Sequence, residues 1–117
     1  MALTLYGISN CDTVRKARRW LEDAGLEYRF HDFRKDGLKA GVVAGWLAQR
    51  EWDEVVNKRS SSWKALSVEE RDSMDAASAA SAIGNTPTLV KRPVLEDSAL
   101  LEFGFSAARY QQLLGDR

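Results

Sequence analysis

Residues 3–33 read LTLYGISNCDTVRKARRWLEDAGLEYRFHDF, and the fold is decided there. Leu3, Leu5 and Tyr6 form a short apolar run that Gly7 stops, the pattern of a short buried strand over residues 3–7. Ser9 and Asn10 follow, both helix-capping types, and a helix is expected from about Cys11 to Ala24. Val14, Ala17, Leu21 and Ala24 recur on one helical face, joined by Trp20 and the stem of Arg18. Gly25 stands where a left-handed residue ends a helix. Residues 26–33 alternate, with Leu26, Tyr28 and Phe30 on one side and Glu27, Arg29 and His31 on the other. That is strand periodicity, so the chain opens as β-α-β, with parallel strands and a right-handed crossover.

Beyond residue 33 the texture changes. RKDG, residues 34–37, reads as a turn. Helical patterning then runs from Leu38 to about Ala82: Leu38, Val42, Val43, Trp46 and Leu47 share a face, and Trp52, Val55 and Val56 mark a short second element. Ser67 with Glu70 is a capping pattern, and Asp75 caps the alanine-rich AASAASAI. Thr88–Val90 and Val94–Glu96 read as two short strands meeting near Arg92-Pro93, and residues 100–105 as a further strand or turn. Ser106 caps a last helix carrying Ala107, Tyr110, Leu113 and Leu114 inward. The order βαβ, helices, ββα predicts an α/β layer with a helical insertion riding on a small sheet.

The chain has 117 residues, enough for one domain with its own core. Its 17 basic and 17 acidic residues balance to a net charge of +0, so no general attraction to nucleic acid or an anionic membrane is expected. No long apolar run marks a membrane span, and the N-terminus has no secretory pattern. One cysteine and one histidine leave no internal disulfide and no Cys/His metal cluster, a composition that fits a reducing cytoplasm. No glycine-rich phosphate loop is present.

The lone thiol, Cys11, therefore stands out. It follows a strand and opens a helix, where N–H groups and the positive end of the helix dipole stabilise a thiolate. Thr13 can offer a hydroxyl and an N–H to an anion beside the sulfur. Arg15, Lys16, Arg18 and Arg19 follow, although only the first turn can reach the sulfur. Arg59, in NKRSSSW, and Arg92, before Pro93, are further candidates, since an X–Pro bond at a strand junction suits a cis peptide. His31, on the polar side of its strand, reads as an ordinary surface or hydrogen-bonded histidine, and the four tryptophans read as core and helix-packing residues.

Taken together, residues 6–38, VVNKRSSSWKAL and TPTLVKRPVLED resemble the arsenate reductase (ArsC)/Spx family, over about residues 3–114. Within it they are most similar to the small bacterial YffB-type proteins, described as glutathione-dependent thiol reductases. The resemblance implies a single domain over 1–117. A thioredoxin-like core would span about 1–33 and 84–117, with a helical insertion at about 34–83. It implies catalysis by the Cys11 thiolate, backbone N–H donors around Asp12 and Thr13, oxyanion-binding Arg59 and Arg92, and a cis Pro93. It implies no metal and no tightly bound cofactor, with glutathione or another small thiol, or a thiol-containing protein, as partner to a monomer. Two alternatives belong to the same resemblance. One is a weak arsenate reductase; the other is a regulator that, like Spx relatives, binds the C-terminal domain of the RNA polymerase α subunit. The chain departs from the family at three places. Gly7 stands where arsenate reductases carry a histidine, no arginine lies between Arg92 and Arg109, and Val14 replaces the second cysteine of Spx-type switches.

Overall fold

The structure is a computed structural model that describes residues 3–116. Its residues group into two units, one running to Asp36 and resuming at Arg92, the other Gly37–Lys91. Residues 84–91 thus lie with the helical unit, and 34–36 with the sheet.

The first unit is a four-stranded sheet in the order β2-β1-β3-β4, with β1 (Leu3–Gly7), β2 (Tyr28–Asp32), β3 (Val94–Glu96) and β4 (Leu101–Phe103). β1 and β2 run parallel, Leu3 opposite Tyr28 and Gly7 opposite Asp32. The connection is helix α1 (Asp12–Asp23), which buries Val14, Ala17 and Leu21. Gly25, with φ +72, follows the helix end as a C-terminal glycine should. β3 returns antiparallel to β1, and β4 pairs antiparallel to β3. The last helix, α8 (Ala107–Leu114), starts at Ser106, whose hydroxyl accepts from the Arg109 N–H at 3.1 Å. This is the thioredoxin-like α/β arrangement, with a helical insertion between its two halves.

Sheet and helices close on one core of Leu3, Leu5, Ala17, Leu21, Leu95, Tyr110 and Leu114. Trp20 and Phe105 meet the Tyr110 ring edge-on, at 5.6 and 4.7 Å between centroids. At the rim, the Arg18 guanidinium lies 4.2 Å from the Phe30 ring centroid and donates to the Tyr28 hydroxyl at 3.0 Å. That hydroxyl in turn donates to Glu22 at 2.6 Å. Of the four cations after the thiol, Arg18 therefore serves the helix–strand packing.

Burial raises the pKa of the Tyr6, Tyr28 and Tyr110 hydroxyls above the ordinary 10.0. Neighbouring carboxylates add to it: Glu96 beside Tyr6, Glu22 beside Tyr28 and Glu102 beside Tyr110. The folded chain thus holds these protons more tightly than the unfolded one. Their contribution is intact below about pH 10 and declines as pH rises past it, because ionisation then favours unfolding. A urea midpoint that falls between pH 9.5 and 11, further than in a Tyr110→Phe variant, is the expected result, and equal slopes in the two proteins would contradict it.

The second unit comprises α3 (Ala40–Gln49), α4 (Trp52–Val55), α5 (Ser61–Lys64), α6 (Val68–Asp72) and α7 (Ala76–Asn85). α3 packs on α7, with Val43 and Trp46 buried on the first and Ala79 and Ile83 on the second. Ser67 and Asp75 each make the expected capping box, with Glu70 and Ser78. These bonds hold the Glu70 and Asp75 carboxyls below their ordinary pKa.

Three local expectations are corrected. Residues 87–89 form a 3₁₀ turn, and Val90 makes only a single bridge to Val56, where a strand over Thr88–Val90 was expected. Pro87 explains the difference, because its fixed φ suits the first position of a helical turn. The RKDG turn is preceded and partly replaced by one helical turn, α2 (Phe33–Asp36), which ends at Gly37 with φ +70. The N-cap of α1 is Cys11 itself, one residue after the expected Asn10.

Candidate functional site

β1 delivers the chain to the site. Its last residue, Gly7, is followed by the loop Ile8–Asn10, and Cys11 then takes the N-cap position of α1 in extended conformation. The first bond of the helix runs from the Arg15 N–H to the Cys11 carbonyl at 2.9 Å. The amides of Asp12, Thr13 and Val14 precede it and so have no partner within the helix. The Cys11 side chain is half-buried and in no disulfide, and Asp12 and Thr13 are exposed. An acceptor or anion at the sulfur would therefore meet backbone N–H groups and the positive helix end.

The loop is held from two sides. Arg15 pairs with the Asp12 carboxylate and donates to the Ser9 carbonyl at 3.4 Å. Arg34 reaches across from α2 and donates to the Asn10 side chain at 3.3 Å. The Arg34 N–H is itself fixed by buried Asp32, at 2.8 Å. Arg34 is a site residue that the sequence reading missed. It lies 23 residues beyond the thiol, and only the parallel register of β1 and β2 brings the two together.

The Arg92–Pro93 peptide is cis. β3 starts at the next residue, with Val94 opposite Tyr6, so one further step in the register sets Pro93 opposite Gly7. The cis proline and the cysteine loop thus lie at the same end of the sheet. Pro93 is buried and its carbonyl accepts from the Gly104 N–H at 2.8 Å, so that carbonyl is already committed to the protein. Arg92 is half-buried with its Nε atom inside. The first unit therefore brings Cys11, Asp12, Thr13, Arg92 and Pro93 to one sheet end. Arg59 belongs to the second unit, where it is exposed and lines a cleft of about 530 Å³ with Asp53, Val56, Asn57, Lys58 and Lys91.

Gly7 explains one departure from the arsenate reductase pattern. A Cβ there would lie 2.7 Å from Val14 Cγ2 and 3.1 Å from its Cγ1, and Val14 is fully buried in the first turn of α1. No side chain fits at position 7 unless Val14 moves. Gly7→Ala is expected to cost about 1–3 kcal/mol by overpacking, read as a lower urea midpoint, and Val14→Ala in the same chain should restore part of it. An unchanged midpoint in the single variant would contradict this contact.

Among the described residues no group of three or more His, Cys, Asp or Glu could hold a metal ion, and no helix is long and apolar enough to cross a membrane.

The chain is similar to known proteins over most of its length. A solved ArsC-related protein from Brucella melitensis is 43% identical, covers 96% of this chain and 93% of its own, and superposes with a TM-score of 0.79. The YFFB (PA3664) protein is 33% identical over 97% of this chain and 99% of its own, with a TM-score of 0.92. The global transcriptional regulator Spx of Listeria innocua is 28% identical over 98% of this chain and 88% of its own length. The model of the ArsC family matches residues 6–113, and the chain belongs to that family.

Proposed function

We propose that the protein is a monothiol oxidoreductase in which Cys11 forms a mixed disulfide that an external thiol, glutathione, resolves. The observation that carries this reading is the placement of the lone thiol. It caps α1 at the sheet end where cis Pro93 begins β3, and Val14 stands where a second cysteine would follow. The Cys11 thiolate attacks one sulfur of a disulfide, the S–S bond breaks, and the leaving thiolate takes a proton. A glutathione thiolate then attacks the mixed disulfide at the sulfur that Cys11 carries, regenerates the Cys11 thiolate and leaves joined to that sulfur as a new disulfide. One glutathione thiol is consumed for each substrate thiol released, with no second protein cysteine needed. Asp12 and Thr13 supply the first-turn N–H groups for the sulfur, and Arg92, at the same sheet end, attracts a carboxylate of the thiol.

The test is steady-state reduction of a glutathionylated peptide by glutathione. Saturable turnover that needs Cys11 supports the reading, and a rate no higher than the uncatalysed exchange overturns it.

The likeness to Spx favours a second reading, a protein-binding regulator on the same fold. Capture of the RNA polymerase α C-terminal domain by Cys11→Ser protein, with no thiol turnover in the wild type, would select it. Arsenate reduction ranks below both. Gly7 cannot host a histidine, and Arg109, the next arginine after Arg92, is engaged by Glu102 at 3.2 Å.

A further inference from the structure

The second unit gathers three cations at one cleft. The bridge between Val56 and Val90, with Asn57 N–H bonded to the Leu89 carbonyl and Lys91 N–H to the Val55 carbonyl, both at 2.8 Å, sets Lys91 beside Lys58 and Arg59. The Asn57 side chain accepts from the Arg59 N–H at 3.0 Å and tightens the turn. All three cations line the 530 Å³ cleft, with Asp53 as its one carboxylate. Among the described residues none of the three side chains makes an ion pair. Three cations against one anion leave a local surplus of two positive charges in a chain whose total charge is zero. Holding like charges together costs free energy, which a bound dianion would remove.

Lys58 is also a wall of a second cleft, of about 510 Å³, lined by Trp52, Trp63, Val68, Arg71, Asp72 and Met74. Trp52 and Trp63 stack at 6.0 Å and 24°, and the Lys58 ammonium lies 5.0 Å from the Trp52 ring centroid. Val68, 61% exposed, leaves apolar surface open beside them. A charged cleft and an aromatic one thus meet at a single lysine, and both have the size of small-molecule sites. An anion that draws Lys58 toward Arg59 and Lys91 would uncover the face of Trp52.

We propose that this unit binds a small phosphate monoester bearing a flat ring, a nucleoside or aryl monophosphate, with the dianion on Lys58, Arg59 and Lys91 and the ring on Trp52. A monoester near pH 7.5 carries close to two negative charges, which matches the surplus. The site needs no thiol chemistry and no residue of the sheet unit.

The test uses full-length Cys11→Ser protein, so that its outcome does not depend on the reductase reading. It is titrated at fixed ionic strength with adenosine monophosphate, phenyl phosphate, inorganic phosphate and adenosine, and tryptophan fluorescence is read. A saturable change with one or both monoesters is expected, at least about tenfold weaker for phosphate and for adenosine. Lys58→Gln and Lys91→Gln should each weaken it about tenfold, the loss of one charge-assisted bond, while Lys35→Gln leaves it unchanged. No saturable response to either monoester, an equal response to inorganic phosphate, or indifference to both lysines would overturn the proposal.

Discussion

Cys11→Ser protein is expected to reduce no disulfide above the buffer background. The chain has one sulfur nucleophile, so no neighbouring thiol can take over, and a serine hydroxyl cannot form a mixed disulfide. The fold should survive the exchange. Cys11 is a half-buried N-cap with no side-chain capping bond, and serine is a favoured cap that can accept from an amide of the first turn. Stability should therefore hold or rise slightly while turnover disappears, which separates a chemical role from a structural one. Turnover that persists in Cys11→Ser would place the chemistry elsewhere.

Tyr110→Ala is expected to be the most damaging single truncation in the sheet unit, at about 3–5 kcal/mol for loss of a buried aromatic ring. Tyr110 is fully buried on α8 against Leu5, Leu21 and Leu95, and two aromatic neighbours meet it edge-on. The ring and not the hydroxyl supplies this. The Oη atom is buried without a hydrogen-bond partner among the described residues, and its pKa is driven up mainly by burial. Tyr110→Phe should therefore change stability by less than about 1 kcal/mol, since no hydrogen bond is lost and less polar surface is buried. Urea unfolding of the two variants checks this. A large loss in Tyr110→Phe would point to a partner for the hydroxyl that the packing does not reveal.

Local patterning made much of the fold legible. The period-2 run of β2, the 3.6-residue face of α1 and the capping residues Ser67, Asp75 and Ser106 each act within a few positions, and each appears where its chemistry directs. The failures fall where a distant segment decides. Residues 88–90 have strand composition, but Pro87 turns them, and their strand-like pairing among the described residues is the single bridge from Val90 to Val56. Phe33–Asp36 becomes helical while the Asp36 carboxylate accepts from the Asp32 N–H at 3.1 Å, a bond that no periodicity announces.

The site divides in the same way. The placement of Cys11 between strand and helix was readable because neighbouring residues build it. Arg92–Pro93 could be suspected from its X–Pro bond, and its position near the thiol follows from the β1–β3 register. Arg34 was invisible, because its hydrogen bond to Asn10 depends on two strands lying side by side. Nothing local singles out Lys58 and Lys91 either, being 33 residues apart in the chain and brought together at the Val56–Val90 bridge.

The central claim is that Cys11 carries a mixed disulfide resolved from outside, and intact-mass spectrometry of the protein after incubation with oxidised glutathione tests it most directly. The expected spectrum shows a single glutathionyl adduct, mapped to Cys11 and removed by reduced glutathione within the time of turnover. A protein that stays unmodified, or an adduct that reduced glutathione cannot remove, would contradict it.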